Sequence, residues 1–145
     1  MPPVSIESVR ASRARALRHL PSPGRLVLVI GPPCSGKTTY VATHAGLDDV
    51  VIDVDALARA LGSRVEHDHH PNHLAAALVA RDALALRPAS STTWLITTNR
   101  RSLGNLRLPP HEVVVLDTSI DTCLARARAA GRTSQVLDAI RNWTP

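Results

Sequence analysis

Apolar runs alternate with amphipathic stretches along the chain, and this alternation predicts strands separated by helices. Arg25–Ile30 combines leucine with β-branched residues and has no polar interruption after its first position, which is typical of a strand buried on both faces. Shorter runs of the same kind predict three more strands, at about 50–54, 93–98 and 113–117.

Helical patterns surround these strands. Ser5 can cap a first helix over about 5–20, and the Pro- and Gly-containing segment 21–24 ends it. Further helices are expected at about 37–44, 55–61, 73–87, 119–130 and 133–143. Because strands and helices alternate, the pattern favours an α/β fold, a three-layer αβα sandwich around a mainly parallel sheet of four or five strands.

Length and composition place these elements in one domain, 1–145. Residues 1–24 are expected to form a basic helix and linker in front of the core. The net charge of +5 favours an acidic partner, either nucleotide phosphates or a nucleic-acid backbone that arginines contact.

Two cysteines are too few for a disulfide framework and indicate a reducing, cytoplasmic setting, although the Arg- and Ser-rich residues 1–20 would also suit an organellar transit peptide. No apolar stretch approaches the roughly 20 residues that cross a bilayer, so no membrane association is expected.

The strongest chemical signal is the position of the only lysine. The chain has 17 lysine and arginine residues in total, and all of them except this lysine are arginine. Lys37 lies in Gly31-Pro32-Pro33-Cys34-Ser35-Gly36-Lys37-Thr38, a Gly-x-x-x-x-Gly-Lys-Thr motif between a predicted buried strand and a predicted helix. A compact ammonium can reach between phosphate oxygens, where the planar fork of arginine is not equivalent. The motif therefore predicts a phosphate-binding loop for a nucleoside triphosphate.

Each part of this loop has an expected role. The two glycines are expected to supply backbone angles that side chains would forbid, so that consecutive N–H groups point at the β-phosphate. Lys37 is expected to bridge the β- and γ-phosphates, and the Thr38 hydroxyl to bind Mg²⁺. ATP and Mg²⁺ are the predicted cofactors, and the predicted nucleotide-binding residues are Gly31, Pro32, Pro33, Cys34, Ser35, Gly36, Lys37, Thr38 and Thr39.

The loop resembles that of polynucleotide 5′-kinases and related small P-loop kinases. Pro33-Cys34-Ser35 matches the interior of their Gly-x-Pro-x-Ser-Gly-Lys-Ser/Thr form. Asp53-Val54-Asp55 is similar to a carboxylate pair that closes the second strand in many of these enzymes, and Thr98-Asn99 to a Thr-Asn step after the third. The resemblance covers most of residues 25–143. It implies a P-loop NTPase fold and transfer of the γ-phosphoryl group of Mg-ATP to a nucleotide or a polynucleotide 5′-hydroxyl.

The resemblance extends to a lid and also shows two departures. Cys123-x-x-Arg126-x-Arg128-x-x-x-Arg132 looks like the arginine-bearing lid of these kinases, here at about 119–133. No acidic residue stands shortly before Thr98-Asn99, and no strand is expected after the lid. A Walker B role would therefore fall to Asp53, Asp55 or Asp117.

Asp53 and Asp55 are the candidate acid–base and metal residues. Because side chains alternate along a strand, both would share one face if the strand reached them. Asp55 is expected to be the general base and Asp53 to hold Mg²⁺ with Thr38, although the two roles can be exchanged. In the structural alternative, Asp55 only caps the next helix and Asp53 is a solvated strand end.

Arginines supply the remaining candidates. Arg59 lies one helical turn beyond Asp55 and resembles the arginine that grips an acceptor phosphate, and Arg100 could touch substrate near the cleft mouth. Charge that develops during phosphoryl transfer is expected to be stabilised by the lid residues Arg126, Arg128 and Arg132. The alternatives are plain surface arginines and a solvated helix flank.

Two other functions are alternatives to the kinase interpretation. The main one is a nucleotide-gated regulatory module that binds nucleic acid or protein without phosphotransferase activity, and an NTPase motor ranks last because the chain is short. The histidine-rich segment 67–73 invites a metal interpretation, but adjacent His69 and His70 would point apart in an extended loop. A loop that meets the acceptor is the favoured alternative for this segment.

Overall fold

The computed structural model describes residues 5–18 and 23–145, with the backbone alone for 13–18. A 3₁₀ turn (Arg100–Leu103) follows the third strand. The strands and α-helices are α1 (Ile6–Arg18), β1 (Arg25–Ile30), α2 (Lys37–His44), β2 (Val50–Ile52), α3 (Val54–Ala60), α4 (Pro71–Leu86), β3 (Thr92–Thr97), β4 (Glu112–Val115), α5 (Ile120–Ala129) and α6 (Ser134–Arg141).

The described strands form one four-stranded sheet in the order β2-β3-β1-β4, and all neighbouring pairs are parallel. In register, Leu28 of β1 lies opposite Leu95 of β3 and Val113 of β4. The predicted α/β fold with a parallel sheet is therefore confirmed, and its strand number is four within the described residues.

The sheet is covered on both faces, which makes three layers. Successive side chains of β1 point to opposite faces and enter two different hydrophobic clusters. One cluster contains Leu26, Leu28, Ile30, Ile52, Ala85 and Leu95. The other contains Val27, Val29, Val41, Trp94 and Ile96. Burial on both faces is the reason that β1 is apolar without interruption.

The first helix begins as predicted, and its end lies at the limit of the described residues. The N–H of Ser8 donates to Ser5 Oγ at 3.1 Å, which is the expected cap. Ile6 and Val9 are exposed, so these apolar positions do not pack on the core as an amphipathic helix would require. The predicted end at residue 20 and the linker residues 21–22 lie outside the described part. Within that part, no helix is long and apolar enough to cross a membrane.

The second strand is shorter than predicted, and this changes the role of the aspartates. β2 ends at Ile52, and Asp53 takes the N-cap position of α3, where its Oδ1 accepts the N–H of Asp55 at 2.9 Å. The strand reaches neither aspartate, and the cap is Asp53 rather than Asp55. α3 starts at Val54, slightly earlier than predicted, because Asp53 is a strong N-cap directly after the strand.

The histidine-rich segment also ends earlier than predicted. α4 begins at Pro71 rather than at residue 73, with proline in the first turn and the ring of His70 as the cap. The N–H of Asn72 lies 3.2 Å from His70 Nδ1. Proline suits the first turn because its fixed φ is helical and it has no N–H to satisfy there.

Candidate functional site

A cleft of about 1000 Å³ opens where the strands end. It is lined by the loop between β1 and α2, the start of α3, part of α4, the end of β3, and α5 with the residues that follow it. Ligand sites of open parallel sheets lie at the carboxyl ends of the strands, so this is the expected place. Most of the candidate residues meet in this cleft.

The loop between β1 and α2 has a backbone that can bind an anion. Cys34 has φ 63° and Gly36 has φ 92°, both left-handed, and Gly36 is the N-cap of α2 without a side-chain cap. Left-handed residues alternating with ordinary ones turn successive N–H groups towards one concavity. Gly31 differs from the expectation, because it has no positive φ and is required for space. A Cβ there would lie 2.5 Å from Ser35 Oγ.

Lys37 and Ser35 are prepared for a ligand in this concavity. Lys37 Nζ donates to Gly31 O at 2.8 Å and to Pro32 O at 2.7 Å. Burial lowers the pKa of Lys37 to about 8, because the charged form loses water. Ser35 is buried and its Oγ has no hydrogen-bond partner among the described residues. A tethered ammonium, an unsatisfied hydroxyl and the start of α2 without a side-chain cap together fit a polyphosphate.

Two of the three lid arginines belong to the cleft. Arg126 Nη1 donates to Cys34 O at 3.2 Å and lies 3.7 Å from the position of a Cβ on Gly36, so it reaches across the loop. Arg132 lines the cleft, and its buried Nε has no partner among the described residues. Arg128 is exposed on α5 and is not part of the lining, contrary to expectation. The chain turns at Gly131, between Arg128 and Arg132, and of these two only Arg132 lines the cleft.

The cleft also holds a carboxylate bound by two histidines. Asp53 and Asp55 both line the cleft. His67 Nδ1 lies 2.9 Å from Asp55 Oδ2, and His69 Nε2 lies 2.9 Å from Asp55 Oδ1. The second nitrogen of His69, Nδ1, lies 2.6 Å from the hydroxyl of Ser63. Asp55 is therefore neither a cap nor a free carboxylate.

This cluster is held by hydrogen bonds and has no metal geometry. The ring nitrogens face the carboxylate oxygens at hydrogen-bond distance instead of converging on a common point. In the described part of the chain, no group of three or more His, Cys, Asp and Glu residues is arranged to hold a metal ion. His70, which caps α4, points to a different partner from its neighbour His69.

A family model described as an AAA domain matches residues 26–142. The chain belongs to this family. The match covers the sheet, the phosphate loop and the arginine segment, and it establishes a P-loop NTPase-like domain. No curated protein and no solved structure matches the chain significantly.

The β3 strand of this AAA domain brings no carboxylate to the cleft. Thr97 and Thr98 line the cleft at its end, and the hydroxyl of Thr97 contacts that of Ser102. Asp117, the third Walker B candidate, is exposed and lies outside the lining. Only Asp53 and Asp55 of these candidates remain next to the phosphate loop.

Arg81 is a charged cleft residue of the AAA domain that the sequence analysis did not identify. Its side chain is 6% exposed, and it donates from Nε to Asp82 Oδ1 at 2.8 Å and from Nη1 to Ser102 O at 2.9 Å. It lies four residues from both Ala77 and Ala85, the other buried positions of α4. In the sequence, the feature that could have identified Arg81 is a charged residue at the same helical spacing as the small apolar residues Ala77 and Ala85.

Arg59 and Arg100 do not line the cleft, contrary to expectation. Arg59 is exposed, and its Nη1 donates to Glu66 O at 3.3 Å, which attaches α3 to the loop that carries His67. Arg100 is exposed in the 3₁₀ turn. Although Arg59 lies one helical turn after Asp55, only Asp55 lines the cleft.

Proposed function

We propose that this AAA domain is a kinase that transfers the γ-phosphoryl group of Mg-ATP to a nucleotide or to a polynucleotide 5′-hydroxyl. The observation that carries the proposal is the shared cleft. It is lined by the phosphate loop, by Arg126 and Arg132, and by Asp55 with His67. A transferase needs both a donor site and an acceptor site next to the same phosphoryl group.

The donor side holds the triphosphate. The amides of the phosphate loop and the first turn of α2 bind phosphate oxygens, and the positive end of the helix adds to the attraction. Lys37 exchanges its two carbonyl partners for phosphate oxygens when the ligand enters. Mg²⁺ bound with ATP neutralises phosphate charge, and Thr38 with Asp53 would hold it, because hydroxyl and carboxylate oxygens are its preferred ligands.

The arginine side stabilises developing charge. Arg126 already spans the phosphate loop, so its guanidinium needs little rearrangement to contact an equatorial oxygen of the transferred group. Arg132 has a buried Nε that lacks a partner among the described residues, and an anionic ligand would satisfy it. Both side chains lie in the cleft lining before a ligand binds.

The acceptor side has space and a mixed surface. Leu74, Leu78 and Ile96 provide apolar lining, and Arg81 lies among them. An apolar wall with a fixed guanidinium suits the sugar or base and the phosphate of a nucleotide-like acceptor. Asp55 and His67 provide the acid–base groups there.

A matched pair of variants tests the kinase proposal with labelled ATP and a panel of nucleosides, nucleotides and 5′-hydroxyl oligonucleotides. Arg126→Ala should lower kcat by about 10²-fold or more, because it removes a donor aimed at the transferred group. Arg128→Ala, two residues away on the same helix, should leave kcat within about twofold. Bound ATP with no transfer to any acceptor would refute the proposal.

The second candidate is a nucleotide-gated module that binds nucleic acid or protein. The absence of a carboxylate at the end of β3, within the described residues, favours it, since that position often organises Mg²⁺. In this case the chain should bind DNA or RNA with a steep dependence on salt that Lys37→Ala leaves unchanged. Transfer activity in the panel experiment would exclude it.

A further inference from the structure

Both carboxylate oxygens of Asp55 already accept a hydrogen bond within the cleft. Its Oδ1 lies 2.9 Å from His69 Nε2, and its Oδ2 lies 2.9 Å from His67 Nδ1. An acceptor hydroxyl would have only the second lone pair of an oxygen that already accepts from an imidazole. Asp55 is therefore poorly placed to be the proton acceptor itself.

The hydrogen bonds determine which nitrogens carry protons. A carboxylate only accepts, so His69 Nε2 and His67 Nδ1 both donate to Asp55. In neutral His69, Nδ1 then accepts the hydroxyl proton of Ser63 at 2.6 Å. In neutral His67, the free nitrogen is Nε2, which carries a lone pair.

His67 and His69 differ in access to the cleft. The side chain of His69 is 2% exposed and both of its nitrogens are bonded. His67 is 38% exposed, lines the cleft, and its Nε2 has no partner among the described residues. Of the two histidines, only His67 therefore combines a place in the cleft lining with a ring nitrogen that has no partner among the described residues.

We infer that His67 is the general base of the transfer reaction, with Asp55 as the residue that orients it. This inference rests on the proposed kinase function. His67 Nε2 takes the proton when the acceptor O–H bond breaks, and the electron pair of that bond forms the new bond between acceptor oxygen and γ-phosphorus. The bond from γ-phosphorus to the bridging oxygen breaks, and its electron pair leaves with ADP.

Asp55, His69 and Ser63 form the support of this base. Asp55 holds the proton on Nδ1 of His67 and stabilises the imidazolium that forms, as a carboxylate does for any histidine base. The buried His69 and Ser63 keep the carboxylate in place from behind. The other charged groups that line the same cleft are Lys37, Asp53, Arg81, Arg126 and Arg132.

His67→Gln tests the assignment, with His111→Gln as the matched control. The variant should lose about 10²- to 10⁴-fold in kcat, the usual contribution of a general base, while ATP affinity stays within about twofold. The pH dependence of kcat/KM should differ between wild type and variant, because a general base has to be unprotonated to act. His111 bonds the carbonyl of Pro109 outside the cleft, so its variant should keep both rate and profile.

Further variants separate a base from a merely structural histidine. Imidazole added to His67→Ala should restore part of the rate with a pH dependence set by the imidazole. The double variant Asp55→Asn with His67→Gln should be no slower than His67→Gln alone, because the two residues act as one unit. If Asp55 is the base, His67→Gln will stay within a few-fold of wild type and will keep its pH profile, which overturns the inference.

A second readout does not depend on activity. Two-bond ¹H–¹⁵N correlation spectra of the full chain should show neutral His67 protonated on Nδ1, and Asp55→Asn should shift its proton towards Nε2. His67 protonated on Nε2 in the wild type would overturn the inference. An inactive wild type would overturn the kinase proposal and this inference together, whereas an active His67→Gln would overturn this inference alone.

Discussion

At the scale of single residues, the site depends on a lysine that is partly desolvated before any ligand arrives. Lys37 contacts the carbonyls of Gly31 and Pro32, and burial lowers its pKa to about 8. A polyphosphate next to the amine favours the ammonium and raises this pKa again. Ligand binding should therefore be linked to proton uptake.

Titration calorimetry of ATP binding can measure this linkage. With a free-state pKa of about 8, half of the amine is charged at pH 8, so ATP binding should take up about half a proton there. The association constant should fall about tenfold between pH 7 and pH 9, because only the charged form binds. Buffers with different ionisation enthalpies give the proton count. No proton uptake at pH 8 would show that Lys37 is already fully charged in the free protein.

At the scale of elements, the connection between α2 and β2 is attached to β3 by one aspartate. Asp49 accepts the N–H of Gly46 at 2.8 Å, the N–H of Thr92 at 3.1 Å and the indole N–H of Trp94 at 3.0 Å. These donors, led by the Trp94 indole, hold the pKa of Asp49 below its usual value. The turn before an edge strand is thus coupled to the centre of the sheet by charge-assisted hydrogen bonds.

Asp49→Asn should lower stability at neutral pH, and Asp48→Asn is its control. Because the folded pKa of Asp49 is below the unfolded one, its contribution is present above the unfolded value and is lost as pH falls through the folded value. In urea denaturation, the midpoint of the Asp49→Asn variant should lie below that of wild type at pH 7, and the gap should narrow at pH 4 and below. Asp48 has an exposed side chain, so its variant should follow wild type throughout. A gap that is constant with pH would contradict the assignment.

At the scale of the whole molecule, Trp143 near the end of the chain contacts the carboxyl ends of the strands, where the cleft lies. Trp143 packs against the cluster that contains Leu28, and its indole N–H donates to Thr98 O at 2.7 Å. Thr98 itself lines the cleft. Because a ligand in this cleft binds the folded chain and not the unfolded one, ligand binding and global stability should be coupled.

Thermal unfolding with and without Mg-ATP measures this coupling. At a ligand concentration of about 100 Kd, binding adds about 2.7 kcal/mol to the free energy of unfolding. For a domain of this size that raises Tm by about 5–10 °C. Lys37→Ala should lose the shift while keeping the ligand-free Tm within a few degrees, and Arg128→Ala should keep the shift. An equal Tm shift in Lys37→Ala would mean that ATP binds elsewhere.

Features with a local physical cause could be predicted from the sequence. The apolar run of β1 and the alternation of strands with helices predicted the parallel sheet, because burial on both faces permits no polar position. The Gly-Lys-Thr motif predicted a phosphate loop between β1 and α2, and the AAA domain match agrees with it. The left-handed angle at Gly36 follows from the same local chemistry.

Tertiary contacts decided which side chains reach the cleft. Arg126 and Arg128 look alike in the sequence, but the packing of α5 turns only Arg126 over the phosphate loop. Asp55 meets His67 and His69 only because the loop after α3 folds back onto the helix that carries Asp55. Backbone periodicity and turn chemistry are encoded within a few residues, whereas the direction of a loop side chain depends on everything packed around it.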